Sequence, residues 1–462
     1  MLRCIAASST FQNVCKIGVL VCYGGVDYGA RFVRIFIMDC FLKVYGCQMN
    51  AADSHLVSRL LADAGIREVS ETSEAQAVVL LTCSVRQHAE DRARGFARTM
   101  RGLGKKVIVA GCMGKLRGQE LVAEGVADLV LGPDEYRRIP DLLLGHDNLN
   151  TAPESFETYS DLLPATNSSV SASLSVMRGC NNFCTYCVVP YARGPERSIP
   201  YHDLEKQLRY ILDRGVKEIF LLGQNVLAYR HGDMKLIDLL ERAARLEGLD
   251  RLGFLTSHPR DLSYEMIQRM ARIPQLLHFF HLPLQSASEG VLKQMRRGYS
   301  LAEYEQKIGW VREAFPDVYL TTDLLVGFPG ESEEDFELTL DAVRRIGFDF
   351  AYMFAYSERP GTKAADMAEK LPVPERKRRL AELIDRQNEV TRRRAEGLVG
   401  TEEEVFVTAP APRGQGAMLA ELKNYRPVIL NHTARLGQKL QARLVGLRGR
   451  SIIAEPLAKE VA

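Results

Sequence analysis

The 462-residue chain has no run of eighteen uninterrupted apolar residues, which argues against a transmembrane helix. It also has little charge of one sign. Its 60 Lys and Arg nearly balance 58 Asp and Glu, for a formal net charge of +2, so a nucleic-acid surface would have to be a local patch. A secretion signal is weakly supported. Lys16–Val26 is apolar enough to suggest one, but Arg3 is the sole charge before Lys16 and no small-x-small cleavage site precedes Met38. The functional chain is expected to begin near Met38, with 1–37 a dispensable extension of unknown role or a mis-set start. Finally, no cysteine follows Cys187, and the cysteines do not fall into the two close pairs common in structural zinc sites.

What is present is an ordinary globular composition, 46% hydrophobic and 26% charged, long enough for two or three domains. Six of the ten cysteines, at 47, 83, 112, 180, 184 and 187, follow strand-like runs. That favours metal binding in a reducing, cytoplasmic compartment over disulfides. Cys4, Cys15, Cys22 and Cys40 have no assigned role.

The densest signal is Met177-Arg178-Gly179-Cys180-Asn181-Asn182-Phe183-Cys184-Thr185-Tyr186-Cys187. Three thiolates on one short loop suit a 4Fe–4S cluster, which ordinarily takes four. The missing fourth leaves one iron open to another ligand. A zinc knuckle that borrows His202 or a distant cysteine is the alternative.

Residues 38–145 alternate strand and helix signals, with apolar runs at 41–45, 77–81, 106–110 and 128–131 and helices at 53–64 and about 85–100. Continuous apolar runs separated by helices predict a parallel α/β sheet covered on both faces. Cys47, Cys83 and Cys112 each follow a strand. In such a sheet the carboxyl ends of the strands share one edge, where ligands bind, so the three are expected to converge as a second cluster site. Three inert buried cysteines are the bland alternative. Residues 146–172 are rich in Ser, Thr, Asn and Pro and read as a linker.

From 173 to 372 the alternation resumes. Strands are expected at 174–177, 218–222, 251–255, 277–282, 318–325 and 350–354, with helices such as 201–214, 236–246 and 333–345. Six βα units make a partial (β/α)6 barrel, since a full barrel has eight. Polar residues stand at the strand ends, where barrel sites form: Gln224 and Asn225, Ser257 and His258, Gln285, Asp323, and Gly327–Glu331. Each could equally be a cap on the next helix, and His258 and His281 read as scaffold. Residues 373–397 form a basic connecting helix, either solvated on its charged face or set against RNA phosphates. Residues 398–462 hold short β-rich runs at 404–407, 428–430, 439–445 and 451–454, with nine Lys and Arg against six Glu and no Asp. They predict a small β-barrel of oligonucleotide-binding type.

The spacing Cys180-x3-Cys184-x2-Cys187, with Tyr186 before the last cysteine, resembles the radical S-adenosylmethionine (SAM) superfamily. Together with Tyr45–Asn50 (YGCQMN), Thr82–Arg86 (TCSVR), Gly111-Cys112-Met113, Arg178–Pro190, Leu222–Val226 (LGQNV), His281–Ser286 (HLPLQS) and Thr321–Glu331 (TTDLLVGFPGE), it is similar to the methylthiotransferases, in the MiaB-type branch that acts on tRNA. The C-terminal segment resembles a TRAM domain. The resemblance covers about Met38 to the C-terminus, and 1–37 has no counterpart in it.

It implies two 4Fe–4S clusters, a SAM-binding one on Cys180, Cys184 and Cys187 and an auxiliary one on Cys47, Cys83 and Cys112. It implies that Gln224 and Asn225 lie near the methionine part of SAM and Tyr186 near its adenine, with Ser257, Gln285 and Asp323 completing the contacts. No catalytic residue beyond the cluster ligands is assigned. The implied reaction places a methylthio group at carbon 2 of N6-dimethylallyladenosine 37 in tRNA. SAM serves twice, once as methyl donor and once as radical source. An external electron donor and a sulfur source are needed, no membrane is involved, and a monomer is compatible with the pattern. A threonylcarbamoyladenosine or ribosomal-protein substrate stays open, as does a non-catalytic, metal-stabilised RNA-binding protein.

Overall fold

The computed structural model describes residues 38–85, 87–146, 156–165, 170–412 and 416–457. The expectations for 1–37, including Cys4, Cys15 and Cys22, lie outside the described residues, as do 147–155 and 166–169 of the segment read as a linker. The chain divides into two compact bodies. The first comprises the described parts of Met1–Gly46 and Asp53–Ser155, and the second comprises Cys47–Ala52 and the described parts of Phe156–Ala462.

The first body is built on five parallel strands in the order Ile66–Glu68, Met38–Val44, Ala77–Thr82, Lys106–Gly111, Leu129–Leu131. Every residue of Ala77–Thr82 is buried, as an unbroken apolar run in the middle of a two-faced parallel sheet must be. The following helix spans Gln87–Gly102, where 85–100 was expected. The helix expected from Asp53 instead spans Gln48–Asp63. Asp53 lies inside the helix, fully buried, and accepts a hydrogen bond from the Tyr136 hydroxyl at 3.0 Å. Cys40 is buried in the first strand, and burial pushes its thiol up to about 12, leaving it protonated and inert.

The second body holds six parallel strands in chain order: Ser171–Ser175, Glu218–Leu222, Arg251–Leu255, Phe279–His281, Tyr319–Val326 and Phe350–Ala355. They pair as two three-stranded halves, joined by a single parallel bridge between Leu252 and Leu276. The partial-barrel expectation is borne out, with shifted boundaries. The first strand ends at Ser175, because Met177–Arg178 leaves the sheet to pair antiparallel with Arg197–Ser198 and start the cysteine loop. Two of the barrel helices, Leu301–Ala314 and Glu333–Ile346, begin with capping boxes, Ser300 with Glu303 and Ser332 with Asp335.

The long helix Val373–Glu396 packs Leu383 and Val390 into the barrel core. Its basic character is largely spent on carboxylates rather than left free for phosphate. Arg379 is 4% exposed and pairs with buried Glu331 at 2.8 Å and with Glu333 at 2.9 Å. Arg378 binds Glu333, Glu375 and Glu382, and Arg394 binds Asp349.

The C-terminal segment closes into a five-stranded barrel of Glu402–Pro410, Met418–Leu422, Pro427–Leu430, Ser451–Pro456 and Lys439–Arg448. Met418–Leu422 was not expected from sequence. This barrel docks at the N-terminal ends of the central strands. Arg251, the first residue of its strand, donates to Glu218 at 2.6 Å and to Glu421 at 3.3 Å. Arg426 pairs with Asp349, Asn424 donates to the Asp317 carbonyl at 2.6 Å, and Tyr425 packs on Phe220 and Phe279. The opposite, C-terminal ends of the strands are left for the site.

Candidate metal and cofactor site

The cysteine loop leaves the barrel at Arg178 and returns at the short helix Val189–Arg193. Gly179 makes the turn possible. Its φ is +81°, and a Cβ there would lie 1.9 Å from the Pro195 carbonyl oxygen. Its N–H donates to the Gln224 side-chain oxygen, and the Cys180 N–H donates to the Gly194 carbonyl at 3.1 Å. On its other side the loop is pinned by Thr185, whose N–H binds the Met295 carbonyl and whose hydroxyl binds the Gln294 carbonyl at 2.9 Å.

Cys180 and Cys184 are buried and Cys187 half-buried, and the three are electrostatic neighbours. Burial pushes the Cys180 thiol up to about 11, and burial together with Cys184 pushes Cys187 up to about 12. Such thiols are inert by themselves and become good ligands only when a metal displaces the proton. Among the described residues no group of three or more His, Cys, Asp or Glu closes around a single-ion site. A four-iron cluster puts each thiolate on a different iron and so asks its ligands to stand apart.

The strand ends beside the loop supply what a polar cofactor needs. The Gln224 side-chain nitrogen, the Ser257 hydroxyl and the His258 Nε2 are buried with no hydrogen-bond partner. Orphaned buried polar atoms are costly, and here they lie on successive strand ends, as expected of a site that satisfies them with ligand. His258 Nδ1 accepts the Arg260 N–H, which leaves Nε2 as the donor of the neutral ring. Burial, reinforced by the charge of Arg297, pushes His258 down to about 2, so it stays neutral across the physiological range.

The other expected contacts divide. Asn225 is already engaged at both ends, donating to Asp261 at 2.6 Å and accepting the His258 N–H at 3.1 Å, so it builds the site floor. Gln285, four residues past the strand Phe279–His281 and bridged to Leu324, is 8% exposed in a left-handed backbone, φ +73°. Asp323 lies 3.5 Å from His281 Nε2. Tyr186 is half-buried and receives Arg297 at 3.5 Å. Glu331 of the GFPGE stretch accepts the Gly327 N–H and ties the barrel to the long helix through Arg379. Of the seven non-glycine residues with positive φ among the described residues, Phe183, Thr256, Gln285 and Arg296 belong to this one region. Strain of that kind persists where surrounding structure enforces it, often at functional sites.

Arg297 and the Nε2 of His258 were not foreseen. No spacing rule links an arginine so far along the chain to the cysteine loop, and the histidine reads as scaffold.

Cys83 and Cys112 directly follow Thr82 and Gly111, which are register partners on adjacent strands of the first body. Both are buried, and the Val85 N–H points at the Cys83 sulfur at 3.3 Å. Cys47 is exposed and opens the short stretch assigned to the second body.

Replacing Gly179 by alanine tests whether the loop is a cluster cradle. A left-handed alanine costs about 1–2 kcal/mol, and the clash with backbone oxygen adds to it. The expected result is protein with a native circular dichroism spectrum and at least a tenfold loss of iron from this loop. Full iron loading would show that the loop does not hold the metal.

Two family models match the chain: the radical SAM superfamily over residues 174–343 and the uncharacterized protein family UPF0004 over 39–132. Among curated proteins, the tRNA-2-methylthio-N(6)-dimethylallyladenosine synthase of Thermodesulfovibrio yellowstonii is 38% identical over 382 residues, 81% of this chain and 89% of that protein. That of Syntrophomonas wolfei is 38% identical over 422 residues, 88% and 94%. Among solved structures, the radical SAM methyltransferase TsrM from Kitasatospora setae, with cobalamin and a [4Fe-4S] cluster bound, aligns with a TM-score of 0.55 at 15% identity, over 71% of this chain and 77% of that one. The cobalamin-dependent radical SAM enzyme OxsB aligns at 0.51 and 12% identity, over 77% and 56%. At these identities the structural likenesses speak for the fold alone.

Proposed function

The chain belongs to the tRNA-2-methylthio-N6-dimethylallyladenosine synthases of the radical SAM superfamily, and from that premise we infer how its residues divide the work. It is a SAM-dependent enzyme that places a methylthio group on carbon 2 of N6-dimethylallyladenosine, at the position beside the tRNA anticodon. Cys180, Cys184 and Cys187 would hold the SAM-binding 4Fe–4S cluster. The carrying observation is the coincidence of that three-thiol loop with three orphaned polar atoms on Gln224, Ser257 and His258.

When bound, the cluster and SAM together supply an electron and a 5′-deoxyadenosyl radical, which suits an aromatic carbon–hydrogen bond that is neither acidic nor readily attacked. The protein's part is positional. Gln224 fastens the loop with its oxygen and leaves its nitrogen for the ligand; Ser257 and neutral His258 add donors beside it. Tyr186 on the loop, Gln285 beyond its strand and Asp323 inside the strand Tyr319–Val326 would meet the rest of SAM. Asn225 holds the His258 backbone in place.

Cys47, Cys83 and Cys112 would hold the auxiliary cluster that carries the sulfur. This reading is supported by their common position after strands and by the family's motif. An external electron donor and sulfur source complete the reaction, and the thiol chemistry fits a reducing cytoplasm. Among the described residues no helix is long and apolar enough to cross a membrane. The substrate base sits in a loop of the tRNA, where single-stranded bases can be turned out and read.

The test is anaerobic reconstitution with iron and sulfide, reduction, and addition of SAM and prenylated tRNA. A methylthio mass increase on the adenosine is expected. No increase from protein with its iron content verified would overturn the assignment. Within the same assay, Cys83→Ala is expected to keep SAM cleavage within a few-fold of wild type while losing the methylthio product. Full product from that variant would remove the sulfur-carrying role from Cys83.

A further inference from the structure

Arg297 is a buried cation without a carboxylate. It is 4% exposed, and among the described residues no Asp or Glu lies within ion-pair distance of it. Three other buried arginines of the C-terminal half each face a carboxylate: Arg251 with Glu218, Arg379 with Glu331, Arg426 with Asp349. Arg297 instead donates to neutral acceptors. Its Nε binds the Tyr299 hydroxyl at 3.0 Å, and Nη2 binds the Pro283 carbonyl at 2.8 Å. Nη1 points at the Tyr186 hydroxyl at 3.5 Å and at the Cys184 sulfur at 3.4 Å.

Guanidinium does not lose its proton in proteins, so the positive charge is fixed. Burying an ion with no countercharge costs several kcal/mol. The backbone nevertheless forces it inward. Arg296 at φ +59° and Gly298 at φ +67° flank it, and Met295, Arg297 and Tyr299 point inside while Arg296 and Gly298 face out. A strained turn that buries an uncompensated cation against a cysteine sulfur makes physical sense if that sulfur belongs to an anion.

We propose that Arg297 is the built-in countercharge of the 4Fe–4S cluster on Cys180, Cys184 and Cys187, and that its N–H···S hydrogen bond to Cys184 raises the reduction potential of that cluster. Three thiolates make the oxidised cluster anionic, and the electron taken from the external reductant makes it more so. A fixed cation stabilises the reduced form more than the oxidised one, and hydrogen bonds to cluster sulfur act in the same direction. Arg297 is thus a positioning residue: it acts on the cluster through Cys184. The inference rests on the cluster reading of this loop, and measured iron separates the two, since protein that binds no iron fails that reading first.

The test is a potentiometric titration of the reconstituted full-length protein without SAM, followed by electron paramagnetic resonance. Arg297→Met is expected to lower the ratio of reduced to oxidised cluster at a fixed potential about tenfold, equivalent to about 59 mV for one electron. Arg297→Lys, which keeps the charge, should recover most of it. An unchanged potential in iron-replete Arg297→Met would overturn the proposal. So would a variant whose potential is normal but whose SAM affinity collapses, because the cation would then serve the SAM carboxylate. Wild-type protein labelled with 15N in its arginine guanidinium provides a readout that needs no variant. A nitrogen coupling to the reduced cluster is expected, and its absence would overturn the hydrogen bond even if Arg297→Met did not fold.

Discussion

Cys184→Ala is expected to abolish SAM cleavage altogether, with 5′-deoxyadenosine falling to the reagent background in the presence of excess reductant. The loop has three thiols, so losing one leaves two ligands for the cluster proposed there, which already has an open iron. Cys184 is also the sulfur that faces Arg297. The change therefore removes a ligand and leaves the buried cation facing a methyl group. The fold should survive, because the loop is tied through Gly179, Cys180 and Thr185 backbone bonds that the side chain does not make. If Cys47, Cys83 and Cys112 hold a second cluster as proposed, about half of the iron should remain there. Iron per chain, sulfide per chain and 5′-deoxyadenosine yield together decide it. A variant that cleaves SAM at the wild-type rate would take the radical chemistry away from this loop.

Much of this arrangement is legible in the sequence, and the unequal legibility has physical causes. Strands such as 77–82 and 218–222 are buried on both faces, so their apolar runs are unbroken and their positions plain. The cysteines are legible because a strand end is a fixed place in a parallel sheet. Met418–Leu422 is less so. Its Met-Leu-Ala-Glu-Leu composition suits a helix as well as a strand, and barrel closure alone decides between them. The basic helix reads as a solvated or RNA-facing element because its counter-ions are elsewhere in the chain: Glu331 and Glu333 for Arg379, Asp349 for Arg394. Arg297 is illegible for the same reason in reverse, since an arginine in a loop is ordinarily exposed. Asn225 shows the remaining difficulty. A strand-end asparagine looks like a ligand contact, and only its geometry reveals that both of its polar groups hold the protein itself.

The second large effect is expected at the opposite end of the barrel. Arg251 is 4% exposed between Glu218, 1% exposed, and Glu421 of the C-terminal barrel, and it also donates to the Leu422 carbonyl at 3.1 Å. Arg251→Ala leaves two carboxyl groups facing each other with no cation. Breaking one side of a buried pair typically costs about 3–5 kcal/mol. The thermal midpoint of the second body should drop accordingly, and the C-terminal barrel should become accessible to limited proteolysis, while iron binding at the far strand ends persists. The pH dependence identifies the cause. Burial, then the neighbouring Glu218 charge, pushes the Glu421 carboxyl up to about 8 from its ordinary 4.5. Because the folded group holds its proton more tightly than the unfolded one, its contribution is fully present below about 4.5 and is lost as pH rises through about 8. Wild-type stability should therefore decline between those limits, and Glu421→Gln, which cannot ionise, should flatten that slope. Arg251→Ala should carry the decline to higher pH, above about 8, because the cation that favours the ionised Glu421 carboxylate is gone. If neither variant altered the slope, Glu218, Arg251 and Glu421 would not be the latch that seats the C-terminal barrel, and its attachment would rest on Arg426 with Asp349 and on the packing of Tyr425 against Phe220 and Phe279.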